Sequence, residues 1–561
     1  MRRLSALVLA LASAVALLAA PLGGRGGQAQ ARDELSIGFT QYPSTLHPMI
    51  DSMAAKSYVL AMLRRPMTSW DASWTLRCEV CVELPTVENG LARPVDRPDG
   101  TRGVALSLEI RPGLAWSDGV PVTSADAAFA IEVGRHPQGG VAAQEFFRRV
   151  ERVEVHDARR FTLHVDRLTY QYNDLGDLHL LPAHLERPVF EADPAAYRQR
   201  TLFDAEPTRP GLHFGPYRLA EVVAGSHLVL LPNPGWPGDR PHFRRITIRA
   251  IENTAALEAN LLSGAIDYIA GELGLSLDQA LAFQKRHGAR FDIAFKPGLV
   301  YEHVDLNLDN PLLRDRRVRL ALLLAIDREA LSRQLFEGRQ PVAHSFVNPL
   351  DRVADPAMQR HGFDPARAQA LLEEAGFRPG PDGIRADATG RRLSLELGTT
   401  AGNRSREAVQ QVLQNQWRRV GVEVRIRNEP PRVFFGETMR RRAFPALGMY
   451  AWISSPEGGP RNQLHSASIP AAANGFSGQN YPGFADAAMD GLVDALEVEL
   501  DFERRKALWA RIQEIYAREL PALPLYFRAD AFIVPRWLAG IEPTGHQHPS
   551  SLRVEHWRPR P

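Results

Sequence analysis

Two cysteines are present in the chain, Cys78 and Cys81. A single Cys-x-x-Cys pair, without a second pair or a nearby histidine, is poor material for zinc. A thioredoxin-like dithiol needs a helix opening at its first cysteine, and here Val82-Glu83-Leu84-Pro85 follows as an extended run. In an exported chain the pair reads as a local disulfide, closing a loop too short to add much stability. His546 and His548 form a lone His-x-His pair, weak as a metal site. No Gly-x-Ser-x-Gly elbow, His-Glu-x-x-His pair or phosphate-cradling glycine loop occurs, and nothing marks two carboxylates as an acid and a base. A secreted hydrolase therefore stands only as an alternative from a different class. Residues 469–484, rich in Gly and Asn, suit a loop that sets polar groups at a cleft, with Asn480 and Tyr481 as preferred contacts. A plain surface loop explains that composition equally well.

The elements that would position such groups are legible in outline. A chain of 561 residues exceeds one hydrophobic core and predicts two or three domains. Its composition, 44% hydrophobic and 24% charged, is that of an ordinary globular protein. A net charge of +2 gives no electrostatic reason to expect nucleic acid or an anionic membrane as partner. Arg2-Arg3, the apolar stretch from Leu4 to Ala20 and Ala29-Gln30-Ala31 together read as a signal peptide, residues 1–31, cleaved before Arg32. No cysteine lies near the cut to carry a lipid, and no later apolar run is long enough to span a membrane, so a soluble exported protein is expected.

One stretch is more specific than the rest. Val104 to Ile110 alternates as a strand, and Asp118-Gly119 is a turn dipeptide. Thr123 stands three residues ahead of Asp126, the spacing of a capping box at a helix start. The segment 110–126 reads strand, turn, cap, helix, and it resembles the signature of the family 5 extracellular solute-binding proteins, the peptide receptors of ABC importers. Other blocks resemble that family in its order. They include Leu46-His47-Pro48 with His47 in place of the usual Asp, Leu181-Pro182-Ala183-His184, Gly215-Pro216-Tyr217, Asn233-Pro234-Gly235-Trp236, Val318-Arg319 with Ala325-Ile326-Asp327-Arg328, and Asp364-Pro365 with Ala375-Gly376.

The resemblance implies an α/β fold: a two-lobed clamshell of the type II periplasmic-binding-protein kind, with an accessory domain on the first lobe. The expected division is 32–66 first lobe, 67–188 accessory domain, 189–298 first lobe, 299–484 second lobe and 485–561 first lobe again. By position in the family's pattern, Asp51 and Ser52 after Pro48 are ligand contacts, although a solvated helix start explains them as well. Tyr301 and His303 lie on the crossing segment, and Arg440, Tyr450 and Trp452 on the second lobe. Arg440-Arg441-Arg442 also reads as a solvated helix end. Family peptide binders commonly carry an Asp three residues after this Trp, for the peptide's ammonium. Ser455 stands there instead, with Glu457 as the nearest acid.

The implied function is capture of di- or oligopeptides in an interlobe cleft by a periplasmic monomer. It needs no cofactor and no catalysis, and delivers its ligand to permease subunits backed by ATPases. A nickel complex, haem or an oligosaccharide on the same scaffold is the alternative ligand.

Overall fold

The computed structural model describes residues 32–560 apart from 51, 52, 137, 138, 140, 252, 475 and 477. Residues 1–31 and the candidate contacts Asp51 and Ser52 therefore lie outside the described residues. Strand β1 (Glu34–Phe39) buries Leu35, Ile37 and Phe39. Next come β2 (Ala92–Asp96), β3 (Arg102–Glu109), β4 (Val150–Val155) and β5 (Arg160–Val165). These four make an antiparallel sheet of order β2-β3-β5-β4. The expected capping box is present: Thr123 caps the helix Ser124–Arg135, and its backbone N–H donates to Asp126 Oδ2 at 2.8 Å. Asp126, buried, also accepts from the Trp116 indole and the Ala183 N–H, so the signature is a structural knot. His47 has a similar task. Its Nδ1 accepts the N–H groups of Met49 and Ile50, and burial followed by the charges of Lys56 and Arg64 holds its pKa far below 6.5.

A ten-stranded sheet forms the spine. To β1 it adds β6 (Tyr217–Val223), β7 (His227–Pro232), β8 (Arg245–Ala250), β9 (Tyr268–Ile269) and β10 (Phe291–Leu306). It continues with β11 (Ser394–Thr400), β12 (Glu423–Glu429), β13 (Leu447–Ile453) and β14 (Ala522–Pro535). The order is β12-β11-β13-β10-β14-β9-β1-β8-β7-β6. Strands β11 and β12 are a parallel pair joined by the helix Arg404–Arg419. One core surrounds β1, β8 and the four-stranded sheet; a second surrounds β11 and β13 with Trp417 and Leu322. These are the bodies of a two-lobed clamshell.

Within the ten-stranded sheet, β10 and β14 run through both bodies. Residues 291–297 of β10 pair with 529–535 of β14, and residues 301–305 pair with 522–527. Between these blocks the pairing jumps from Pro297–Ala529 to Tyr301–Phe527, so residues 298–300 face Arg528 alone. A bulge of this kind bends and twists a ladder, and here it sits where the lobes meet. The sequence predicts only a short crossing at 301–308 and a short strand at 523–527. The strands are 16 and 14 residues long because Pro297-Gly298, which reads as the end of an element, is instead the bulge.

The expected return to the first lobe at residue 485 is corrected by the packing. Helices Ala487–Val498 and Phe502–Glu519 share a core with Val353, Leu464 and Phe484, and Arg319 donates to the Glu519 carbonyl. The chain goes back along β14. Apolar positions of both helices demand a partner, and the sequence does not say which lobe provides it. Among the described residues, no helix is long and apolar enough to cross a membrane.

Asp530, just past the bulge in β14, yields a pH prediction. Burial and the nearby charge of Glu272 raise its carboxyl to about 7. The folded chain thus keeps a proton that the unfolded chain releases near pH 4, so this site's contribution to stability falls as pH rises across about 4 to 7. Asp530→Asn is expected to raise the Tm near pH 8 and to lose that advantage by about pH 4.5. A Tm difference that is flat across the titration contradicts this.

Candidate functional site

Two cavities adjoin where the lobes meet. The larger, about 760 Å³, is walled mostly by the first lobe and the segment 165–179, and closed by Ser455 and Asn462 of the second lobe. The smaller, about 340 Å³, runs into the second lobe and shares Gln171, Ser455 and Asn462 with the first. Together they form one interlobe cleft with an inner chamber.

Strand alternation sets the chamber's floor. Tyr301, His303 and Asp305 recur every second residue on one face of β10, and all three are buried and line the chamber. The Tyr301 and His303 rings stack at 4.8 Å, and Tyr450, on the neighbouring strand β13, meets the His303 ring edge-on at 4.6 Å. Trp452 follows two residues on, 5.2 Å from Tyr450, with Tyr481 tilted against it at 5.7 Å. Tyr301, His303, Tyr450, Trp452 and Tyr481 are thus one aromatic patch, with Trp452 on the chamber wall and Tyr450 and Tyr481 packed behind it.

Other sequence-predicted residues separate from this group. Ser455 lies on the wall of both cavities. Glu457 lines the chamber, but its carboxylate is held by Arg352 at 3.0 Å and Arg505 at 3.4 Å, so it is not available as a replacement acid. Asn480 is fully buried and does not line the cleft: its amide donates to the His465 and Phe484 carbonyls and accepts from the Phe484 N–H, fixing the loop. Arg440 is exposed at the end of a helical turn, away from the chamber lining. Tyr217 and Trp236 pack in or against the first-lobe core, and the Tyr217 hydroxyl donates to the Phe243 carbonyl. His184 pairs with Asp118 at 2.8 Å, outside the cleft. Cys78 and Cys81 are joined as a disulfide.

Several lining residues escape the sequence reading. Asp305 continues the alternation of Tyr301 and His303, a signal present in the sequence. Trp509 and Tyr516 reach the chamber from the helix Phe502–Glu519, seven residues apart and therefore on one face. Assigning that helix to the other lobe hides them. The Tyr516 and Tyr301 hydroxyls meet at 2.8 Å. Asp351 accepts the Glu457 and Val353 N–H groups, and burial raises its pKa. In the larger cavity, burial raises Asp174, and burial together with Asp174 raises Asp177. Burial lowers His548 to about 4.

The lobes touch across the cleft mouth. Tyr170, from the first-lobe side, is buried in the core of the second-lobe helices. Its hydroxyl donates to the Glu457 carbonyl at 2.6 Å, and Arg505 lies 5.2 Å over its ring. Arg167 pairs with Glu497 at 2.8 Å alongside.

The sequence model of the bacterial extracellular solute-binding proteins, family 5, matches residues 90–470. The oligopeptide-binding protein AppA of Bacillus subtilis is 24% identical over 541 residues, spanning 95% of this chain and 92% of that protein. The oligopeptide-binding protein of Thermus thermophilus, solved with a pentapeptide, is 31% identical with a TM-score of 0.71, covering 94% of this chain and 96% of that one. NikA of Brucella suis, solved with Fe(III)-EDTA, shares the fold at 19% identity and a TM-score of 0.75, covering 94% of this chain and 100% of that one. With its two bodies, paired crossing strands and interlobe cleft, the chain belongs to the bacterial extracellular solute-binding proteins of family 5.

Proposed function

We propose that this protein captures peptides between its lobes outside the cytoplasm and passes them unaltered to the permease of an ABC importer. The observation that carries the reading is the cleft itself: it is walled from both bodies, and the chain passes between those bodies along two strands, bulged together. Such a joint lets the halves separate and close as rigid units. A ligand that touches both walls binds the closed form better and shifts the equilibrium toward it, with no chemical step. Extended peptides suit a cleft bordered by strand ends, where backbone groups pair in strand fashion and side chains enter hydrated pockets. Tyr301 and Trp452 on the chamber wall offer apolar contact area. Its relatives from Bacillus subtilis and Thermus thermophilus, described as oligopeptide-binding proteins, support the ligand class.

The test is a thermal shift with mixed di- to pentapeptides, followed by mass spectrometry of the recovered mixture. At about 100-fold excess over Kd a native-state ligand adds about 2.7 kcal/mol, which appears as a clear rise in Tm. No rise with any peptide overturns the ligand class, and fragments in the recovered mixture overturn the binding-only reading. A metal chelate, haem or oligosaccharide carried through native purification would put that ligand in the peptide's place.

A further inference from the structure

The inner chamber is lined by acids, and each of them is already matched. Glu457 is held by Arg352 at 3.0 Å and Arg505 at 3.4 Å. Asp351 accepts the Glu457 and Val353 N–H groups, and burial pushes it toward its uncharged form. Asp305 faces His303 as an ion pair, with Oδ1 3.3 Å from Nε2, and its Oδ2 accepts the Tyr450 hydroxyl at 2.5 Å. The proton between ring and carboxylate, on nitrogen or on oxygen, leaves that pair with no net charge. Among the described residues the lining includes no Lys or Arg, and its other polar side chains, such as Ser455, Asn462 and Gln463, are neutral. Two arginines thus stand against Glu457 and Asp351, and no charge of either sign is left over for a guest.

The walls are apolar on two sides. Tyr301 and Trp452 form one, from β10 and β13. Val353, Leu464 and Trp509 form the other, as the exposed edge of the core that packs the second-lobe helices. A cavity of roughly 150 Å³ with apolar walls takes up a benzene ring. The chamber, at about 340 Å³, therefore has room for a phenyl or indole group. An ammonium entering it gives up its water and meets no counter-charge, whereas an apolar group gains by burying its surface. Attraction to the ring faces does not offset that loss, because it is weaker than the desolvation of a buried cation.

We propose that the inner chamber selects an uncharged apolar group of the bound peptide, of about aromatic size, and discriminates against an ammonium in that position. This rests on the peptide reading of the cleft and narrows the ligand class within it. The group is either an aromatic side chain or an acyl cap on the peptide's amino end, which present the same chemistry. A peptide with a blocked amino terminus is then no worse a ligand than a free one.

The experiment measures Kd by calorimetry for a set of alanine-based pentapeptides. The reference is N-acetylated and otherwise all alanine. One variant of it has a central phenylalanine, one a phenylacetyl cap in place of the acetyl, one a central lysine, and one a free amino terminus. The phenylalanine or the phenylacetyl peptide is expected to bind about tenfold or more tighter than the reference, and the arm that does so identifies the source. The lysine and free-amine peptides are expected to bind no tighter than the reference. Trp452→Ala, which removes one wall, is expected to narrow the aromatic advantage by about threefold or more. Gln463→Glu, which adds a negative charge to the lining at nearly constant shape, is expected to narrow it as well and to favour the cationic peptides. Equal affinity for the reference and both aromatic peptides, a cationic peptide that binds about tenfold tighter than the reference, or an aromatic advantage that survives either substitution in folded protein overturns the subsite and leaves the peptide reading standing. Binding of none of the peptides overturns the peptide reading itself.

Discussion

Replacing Glu302 with alanine is expected to lower the stability of the protein by about 3–5 kcal/mol, the usual result of removing one partner from a buried ion pair. Glu302 is fully buried on β10, two residues past the bulge. Its carboxylate receives Arg406 Nε at 2.5 Å and Arg528 Nη2 at 2.6 Å. Arg406 comes from the helix Arg404–Arg419 and also donates to Thr400 Oγ1, and Arg528 is the β14 residue facing the bulge. Removing the acid leaves two guanidinium groups without their shared counter-charge, Arg406 buried and Arg528 partly exposed. Burial alone would raise the Glu302 pKa, yet Arg528 and Arg406 hold it below its usual value. A depressed carboxyl gives stability that is fully present above its unfolded pKa and is lost as pH falls through the folded one. The wild-type and the Glu302→Ala protein should therefore converge in acid. Urea denaturation at neutral pH and at about pH 3 checks both points; a neutral-pH loss under about 1 kcal/mol would show that the triad contributes little.

Tyr170→Ala is expected to weaken ligand binding by about 30- to 100-fold, the equivalent of about 2–3 kcal/mol, while changing the Tm of the ligand-free protein little. Tyr170 is a first-lobe side chain buried among second-lobe helices, so its contacts exist only while the lobes touch. Its loss penalises the closed form and not the fold of either body. Apparent affinity falls with the fraction of molecules in the binding-competent state. Calorimetric affinity paired with a melting curve separates the outcomes. Unchanged affinity removes Tyr170 from the closure, and a large fall in Tm makes it part of the core instead.

The fold is legible in the sequence wherever local chemistry suffices. Alternation marks β4 and β5 to the residue, Thr123 and Asp126 mark the helix start, and Gly264 closes the helix Thr254–Ser263 in the left-handed conformation that glycine tolerates. Legibility fails where the outcome depends on distant partners. Nothing local in Phe291 to Pro297 says that this run continues the same strand through Gly298, because Pro-Gly normally ends one. The helix Phe502–Glu519 displays an apolar face that either lobe could have covered. The site follows the same rule. Trp452 and Tyr301 are reached by position, and Asp305 is one alternation step further. Glu457 looks available until the arginines that neutralise it, at 352 and 505, are brought beside it by the fold.

Because β10 and β14 each run through both bodies, the second body is one continuous stretch inserted between the two halves of the first, and the first body is built from separated stretches of chain. The first-lobe part of the ten-stranded sheet waits for residues 529–535, late in the chain, to fill the gap between β9 and β10. Until then β9 and the first half of β10 lack their common neighbour. Assembly of the first body is thereby postponed until nearly the whole chain has been made. It also couples the melting of the two bodies into a single cooperative event, since neither can dissolve without unstitching a strand of the other.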